Sequence, residues 1–349
     1  MSKQSKLFQN SETFERATLD LHGENHKSFY YKDLWFSPKA DFKSNRLLKS
    51  AQSILNFFAV VEIRTKLVSV TTLAVALLYV WWRAGFPRVA PLVLMWAATL
   101  AVDMGTTAFN NYFDYVHGTD RYRDVNEPDK VVARGHVGPS FAFWSAFWCF
   151  CAAVVLGFFT ALSSTLWIIP IGVVCMLAGF CYTGGPLPIS RTPVGELFAG
   201  GFLGMVLFGI ANRVWGVAFD GSVLLAGVPS SLWIAAILMV NNTCDIEGDR
   251  EAGRKTLAIR LGPGAGELFV ILYGLSGFAF GILASIIGVF PRAHLATLPV
   301  ALLAVIPFWH AMHRDGYTHA TKGRNMQRIL KILLLSSIGM LAGFVADMM

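Results

Sequence analysis

Long apolar runs recur from residue 65 almost to the C-terminus of this chain. A helix needs about 20 mostly apolar residues to cross the hydrocarbon core of a bilayer. No water is present there to satisfy backbone N–H and C=O groups, so a chain of this pattern folds as helices. The runs fall near residues 65–82, 90–112, 141–161, 165–182, 194–215, 223–242, 267–290, 293–313 and 327–347. The expected fold class is an all-α membrane protein with about nine transmembrane helices. Only Ser163 and Ser164 part the third and fourth runs, and the seventh and eighth turn around Pro291-Arg292. Both pairs are expected to form tight hairpins.

Charge sits outside the runs. Charged residues make up 15% of the 349, against about 25% in a typical soluble domain. Residues 1–50 alone hold nine Lys/Arg and six Asp/Glu. A net charge of +7 raises the question of nucleic acid, but the basic residues are spread over loops between apolar spans. Anionic lipid and correct insertion account for them better, and no nucleic-acid partner is expected. With the N-terminus in the cytoplasm, 25 of the 29 basic residues fall on that side, leaving Arg83, Arg88, Arg213 and Arg292 opposite. This bias predicts an integral protein of the inner or plasma membrane, with its N-terminus and active site cytoplasmic.

The first 40 residues contain no apolar core of a cleavable leader, so the first span is expected to act as its own insertion signal. Residues 1–42 read as a polar cytoplasmic tail. In 43–58, Leu47, Leu48, Ala51, Ile54, Leu55 and Phe58 recur at helical spacing between Lys43, Arg46 and Lys49. That pattern fits a helix lying on the membrane surface or a plain lead-in to the first span. Residues 59–349 form the transmembrane domain. Cys149, Cys151, Cys175 and Cys181 lie in apolar runs without metal-ligand spacing, and with Cys244 they read as small core residues.

Two acidic clusters carry the chemistry. The first runs from Asn110 to Asp124 where the second span ends: Asn110 and Asp114 are four apart, and Asp120 and Asp124 are four apart beyond Gly118. The second runs from Asn241 to Arg250 where the sixth span ends, and Asn241, Asp245 and Asp249 repeat every four residues. That spacing predicts a single helix face for the second set. Carboxylates at a membrane span are costly and mark a functional site by default. Facing clusters would repel unless cations lay between them. Magnesium suits oxygen ligands and is commonly held by one or two carboxylates plus substrate phosphates, so the arrangement predicts Mg²⁺ held against a diphosphate. Arg121, Arg123, Lys130 and Arg134 follow the first cluster, and Arg250, Arg254, Lys255 and Arg260 follow the second. Some are expected to pair with the carboxylates and others to clamp phosphate oxygens. Arg64 and Lys66, at the start of the first span, are further diphosphate candidates. A cation-coupled transporter would instead place charge at mid-span, where almost none is expected here.

The two clusters resemble the paired aspartate-rich motifs of the UbiA superfamily of intramembrane prenyltransferases. Asn110, Asn111, Asp114 and Asp120 match the first motif, and Asp245 and Asp249 the second; Asn111 stands where many members carry Asp. Glu62-Ile63-Arg64-Thr65-Lys66, Tyr182-Thr183-Gly184-Gly185-Pro186 and the stretch from Asn242 to Gly262 resemble most the 1,4-dihydroxy-2-naphthoate polyprenyltransferases of that superfamily. The resemblance covers about residues 57–349 and implies nine helices around a central cavity. It implies Mg²⁺-dependent transfer of a polyprenyl chain from a prenyl diphosphate to 1,4-dihydroxy-2-naphthoate with decarboxylation, in menaquinone biosynthesis. Asp114, Asp120, Asp245 and Asp249 would be catalytic, and Asn110, Asp124 and Asn241 would complete the metal set. Arg64, Lys66, Arg123, Lys130, Arg134, Arg250, Arg254 and Lys255 would bind diphosphate. Tyr112, Tyr115 and Tyr182 would face the allylic cation, His117 would accept a proton, and Lys130 or Arg191 would contact diphosphate or the acceptor carboxylate. Other acceptors used within the superfamily are 4-hydroxybenzoate, homogentisate, haem and chlorophyllide.

Overall fold

The structure is a computed structural model that describes residues 46–86, 88–119, 130–217 and 220–349; side chains are described from residue 51. Residues 51–349 form one compact unit. Helix α1 (Arg46–Val60) leads through a 3₁₀ turn (Ile63–Lys66) into α2 (Leu67–Ala84). Then come α3 (Val89–Val116), α4 (Pro139–Ser163), α5 (Ile168–Thr183) and α6 (Gly195–Val214). The second half holds α7 (Gly221–Cys244), the short α8 (Ile246–Glu251) and α9 (Leu257–Leu261), and α10 (Pro263–Ile286), α11 (His294–Asp315) and α12 (His319–Met348).

Eight of the described helices are long and apolar enough to cross a membrane, and they coincide with eight of the nine expected spans. The remaining expected span, 165–182, appears as α5, only 16 residues long. At 1.5 Å per residue it reaches roughly 24 Å, short of a core about 30 Å thick. The preceding residues are spent on the turn around Ser164–Trp167, where Ser164 Oγ donates to the Thr160 carbonyl at 2.6 Å. The last helix departs in the other direction and begins eight residues before the apolar run. Thr318 caps it in a reciprocal bond with Thr321. His319, Lys322, Asn325 and Arg328 hide this first part from a hydropathy reading, since helix formation needs caps and propensity rather than apolarity.

The helices pack as neighbours in sequence: α3 along α4, α7 along α10, and α11 along α12. α7 is the central helix, with 67% of its apolar window buried, and Trp233, Met239 and Val240 lie in the core. Lipid gives helices no hydrophobic reason to associate, so close packing depends on small residues at the contacts. α10 supplies Gly266, Gly274, Gly277 and Gly281 toward its neighbours. Trp233 fits against this row and donates its indole N–H to the Gly274 carbonyl at 3.2 Å. α6 widens into a π-helical segment at Phe202–Val206, and the Ser231 hydroxyl accepts a bond from Met205 N there at 3.0 Å. Inserting a residue into a helix in this way shifts the faces on either side.

At one end of the bundle, Arg83 on α2 pairs with Asp220 at 2.7 Å, and Trp82 donates to Asp347 at 2.9 Å. The Arg83 guanidinium holds the Asp220 carboxyl well below the usual carboxylate range. The acidic clusters lie at the opposite end. In α1, Ile54, Leu55 and Phe58 are exposed, as a lipid-facing stretch would be. All five cysteines are free.

A side chain at Gly277 would meet the Trp233 ring. Gly277→Val is expected to lower stability by about 1–3 kcal/mol through overpacking, read as an earlier thermal unfolding transition of the protein in detergent.

Candidate active site

Asp114 ends the polar face of α3, two residues before the helix stops at Val116. Asp249 sits on α8 with no exposed surface. Between the two carboxylates lies Arg254 from the turn after α8, 2.8 Å from Asp114 Oδ1 and 3.5 Å from Asp249 Oδ1. Lys130 approaches Asp114 Oδ2 at 3.6 Å. One acid from each expected cluster is therefore joined through a single buried guanidinium. Arg254 is itself 7% exposed, so a fork of fixed donors is held in low dielectric between two anions.

The expected single face of Asn241, Asp245 and Asp249 is split. α7 ends at Cys244, and Asp245 leaves helical geometry with φ −106° and ψ 13°. Its carboxylate turns to α12, where Lys322 Nζ lies at 2.6 Å and His319 Nδ1 at 3.2 Å. Asp249 faces Arg254 instead. Asn241 lies beside Asn242, at 3.5 Å. Asn110 accepts a bond from the Thr183 hydroxyl at 2.6 Å, which ties α3 to α5. Asn111 turns away from the acids and donates to the Val60 carbonyl at 2.9 Å and to Glu62 Oε1 at 3.1 Å. It braces Glu62, whose φ of 48° is rare for a residue with a side chain.

Lys66, expected as a diphosphate ligand, is turned into the bundle toward Asp103. Its ammonium is buried and bonds Asp103 Oδ1 at 2.6 Å and the Thr107 hydroxyl at 2.7 Å, while Ser69 donates to Asp103 Oδ2 at 2.6 Å. Asp103 precedes Asp114 by 11 residues, so it lies on nearly the same face of α3 but roughly 16 Å deeper. Lys66 and Asp103 thus place charge within apolar segments, where almost none was expected. They are tolerated because Lys66 reaches from the 3₁₀ turn to neutralise Asp103. A lone Asp inside an apolar run was the signal for this pair in the sequence.

The other basic candidates are dispersed. The Arg191 guanidinium donates to the Ala252 carbonyl and its backbone carbonyl accepts from Lys255 N at 2.8 Å, so Arg191 braces the turn that delivers Arg254. Arg64, Arg134, Arg250 and Lys255 have exposed side chains. Asp120, Arg121, Arg123 and Asp124 lie outside the described residues. Tyr112 packs against Phe113 and Phe143. Tyr115 is exposed, and His117, also exposed, stacks on Phe113 at 5.7 Å. Tyr182 stacks on Phe198 and lies within electrostatic reach of Arg254, Glu196, Asp114 and Asp249. Of the aromatic candidates, Tyr182 has its surroundings in the acidic site.

Sequence reasoning missed Lys322, His319 and Glu196. The first two lie before residue 327, where the last span was expected to begin. Glu196 is 1% exposed, and its Oε1 accepts from Asn242 at 2.8 Å.

Among the described residues, no three His, Cys, Asp or Glu side chains converge on a metal position. The donors fit magnesium in a different way. Asp114 and Asp249 are hard oxygen ligands already placed about one cation, and Mg²⁺ commonly takes one or two carboxylates and completes its shell with phosphate and water.

The model of the UbiA prenyltransferase family matches residues 68–338. The chain belongs to the UbiA prenyltransferase family. This UbiA-family chain is 37% identical over 163 residues to a 1,4-dihydroxy-2-naphthoate octaprenyltransferase of Bacillus subtilis, covering 47% of this chain and 52% of that one. The match thus spans about half the length of that relative. A Haemophilus influenzae protein of the same name is 23% identical over 299 residues, covering 76% of this chain and 97% of its own length. Among solved structures, a UbiA homolog from Archaeoglobus fulgidus bound to GPP and Mg2+ superposes with a TM-score of 0.60 at 12% identity, covering 84% of this chain and 99% of that one. That likeness extends the family assignment to the fold.

Removing Arg254 would leave two buried carboxylates facing each other. Arg254→Ala is expected to cost about 3–5 kcal/mol. Millimolar Mg²⁺ is expected to recover part of the lost thermal stability, and Na⁺ at matched ionic strength is not.

Proposed function

We propose that this chain transfers a polyprenyl group from a prenyl diphosphate to 1,4-dihydroxy-2-naphthoate, with loss of the acceptor carboxylate as CO₂, in a Mg²⁺-dependent step of menaquinone biosynthesis. The observation that carries the reading is the pairing of Asp114 and Asp249 across Arg254. The naphthoate prenyltransferase names of the relatives support the acceptor. The solved UbiA homolog with GPP and Mg2+ supports the donor and the metal. The bias of basic residues supports an inner or plasma membrane location with the site facing the cytoplasm.

In this reading Arg254 and Lys130 receive the diphosphate. Both are poised on Asp114, and a tri-anionic head group gives them a stronger partner. Asp114, Asp249 and Asp245 would hold Mg²⁺, which when bound supplies charge neutralisation of the leaving diphosphate. Asp120 and Asp124 remain proposed members of the metal set. Lys322 and His319 keep Asp245 oriented. The C1–O bond of the prenyl chain breaks, and the electron-rich ring attacks the allylic cation. Tyr182 offers a π face to that cation. An apolar groove of about 530 Å³, lined by Phe58, Ile63, Leu67, Val70 and Met104 among others, has the chemistry to take the isoprenoid tail. Enclosure by apolar helices keeps water from the cation.

The test is turnover of purified protein in lipid, with farnesyl or geranylgeranyl diphosphate, the naphthoate and Mg²⁺, and product detection by mass spectrometry. The expected prenylated, decarboxylated product disappears with EDTA. It falls by about 10²–10³-fold in Asp114→Ala and Asp249→Asn. Turnover of a different aromatic alone would overturn the acceptor. Silence with every acceptor, together with no Mg²⁺-dependent binding of prenyl diphosphate, would sink the reaction.

A further inference from the structure

Glu196 is a buried carboxyl group that none of the residues assigned above explains. It occupies the first turn of α6, where the helix dipole favours negative charge. Oε1 accepts from the Asn242 amide at 2.8 Å. Among the described residues, Oε2 is buried and has no hydrogen-bond partner. A buried carboxylate oxygen without a donor costs free energy that a fold does not ordinarily tolerate, so an atom in this state calls for a donor brought by something else.

Its surroundings say what that donor belongs to. Asn242 lies one turn of α7 before Asp245, on the membrane side of the acidic end. A Cβ built on Gly195, the neighbour of Glu196, would lie 3.9 Å from the Tyr182 hydroxyl. Tyr182 in turn lies within reach of the charges of Asp114, Asp249 and Arg254. Glu196 is therefore deeper than the diphosphate site but shares its lining. That is where the first carbon of a prenyl chain, held by its head group, would meet an aromatic ring. Among the described residues Glu196 has no cation partner, unlike Asp103, Asp114, Asp245 and Asp249. It is suited to a neutral hydroxyl more than to a metal or a diphosphate.

We propose that Glu196 is a catalytic residue whose Oε2 binds a hydroxyl of the aromatic acceptor and takes its proton as the ring attacks. The inference deepens the aromatic-acceptor reading above and rests on it. The O–H proton passes to Oε2, and the oxygen electrons move into the ring. The ring carbon bonds to C1 of the prenyl group, and the C1–O pair leaves on the diphosphate. When the attacked carbon then loses its carboxylate as CO₂, the released pair restores the aromatic ring, and the oxygen recovers its proton from Glu196. The carboxyl group ends as it began, and no further reactant is required. Asn242 is the positioning residue, since its amide fixes Oε1 and leaves Oε2 for the acceptor.

The experiment compares wild type and Glu196→Gln with a series of hydroxynaphthoates whose hydroxyl acidity is graded by ring substituents. The amide can still bond Asn242 but cannot take a proton. Turnover of the least acidic acceptors is expected to fall about 10²–10³-fold and to recover as hydroxyl acidity rises. Mg²⁺-dependent binding of prenyl diphosphate is expected to stay within about twofold of wild type. A loss of equal size across the series, no loss at all, or a matching loss of prenyl diphosphate binding would overturn the role. If thermal unfolding shows that Glu196→Gln does not fold, Glu196→Met, which fills a similar volume and also cannot take a proton, is read against the same series with the same criteria. Wild type that binds prenyl diphosphate but turns over no aromatic acceptor would instead overturn the acceptor reading, and this role with it.

Discussion

Two carboxylates cannot face each other inside a bundle of apolar helices without a cation between them. Here that cation is Arg254. Coulomb energies grow as the dielectric falls, and so does the cost of an uncompensated charge. Among the described residues, Arg254 is the cation that links α3 to α8, with Lys130 beside Asp114. The turn that carries Arg254 is built to deliver it: Arg191 ties down the Ala252 carbonyl and the Lys255 amide on either side. A prenyl diphosphate with its magnesium would satisfy the same carboxylates and give Arg254 a new anion. Arg254 thus stands in for the metal in charge, though not in chemistry.

The same rule organises the other charges buried in the bundle. Asp103 is met by Lys66, and Asp245 by Lys322 and His319. Each pair joins elements distant in sequence: the 3₁₀ turn to α3, and the end of α7 to the start of α12. In lipid, where burying apolar surface does little to hold helices together, such pairs and the glycine row of α10 tell the helices which neighbours to choose. Among the described residues Glu196 is the exception, held by an amide on one oxygen and offered no donor on the other. The exception falls beside the acidic site, where incomplete satisfaction has a use.

The bundle was legible because its cause is local. Apolar runs of spanning length oblige helices, and eight of them coincide with described helices of that length. The elements whose length or start differs from the expected run have physical reasons. α5 is short because a turn consumed part of its run. α12 starts early because Thr318 and Thr321 cap a polar first part that hydropathy cannot see. The acids themselves were legible, since carboxylates at span ends are conspicuous. Their partners were less so: Arg254 was one of many basic candidates in two loops, and Lys66 was placed with them although it serves Asp103.

The sequence by itself determined that this chain is a membrane-embedded helical protein, that two acid-rich segments end two of its helices, and that both segments match one family of prenyltransferases. The first two conclusions need only periodicity, length and residue type, which are properties of a segment, and the third rests on resemblance to known motifs. The tertiary structure alone decided which of the Lys and Arg side chains meets which carboxylate. It sent Asp245 and Asp249 to different partners through a helix break, turned Asn111 away from the acids, and left one oxygen of Glu196 unpaired. Those outcomes depend on the approach of segments up to 140 residues apart, as for Asp114 and Arg254, and a pattern read along the chain carries no distance between them.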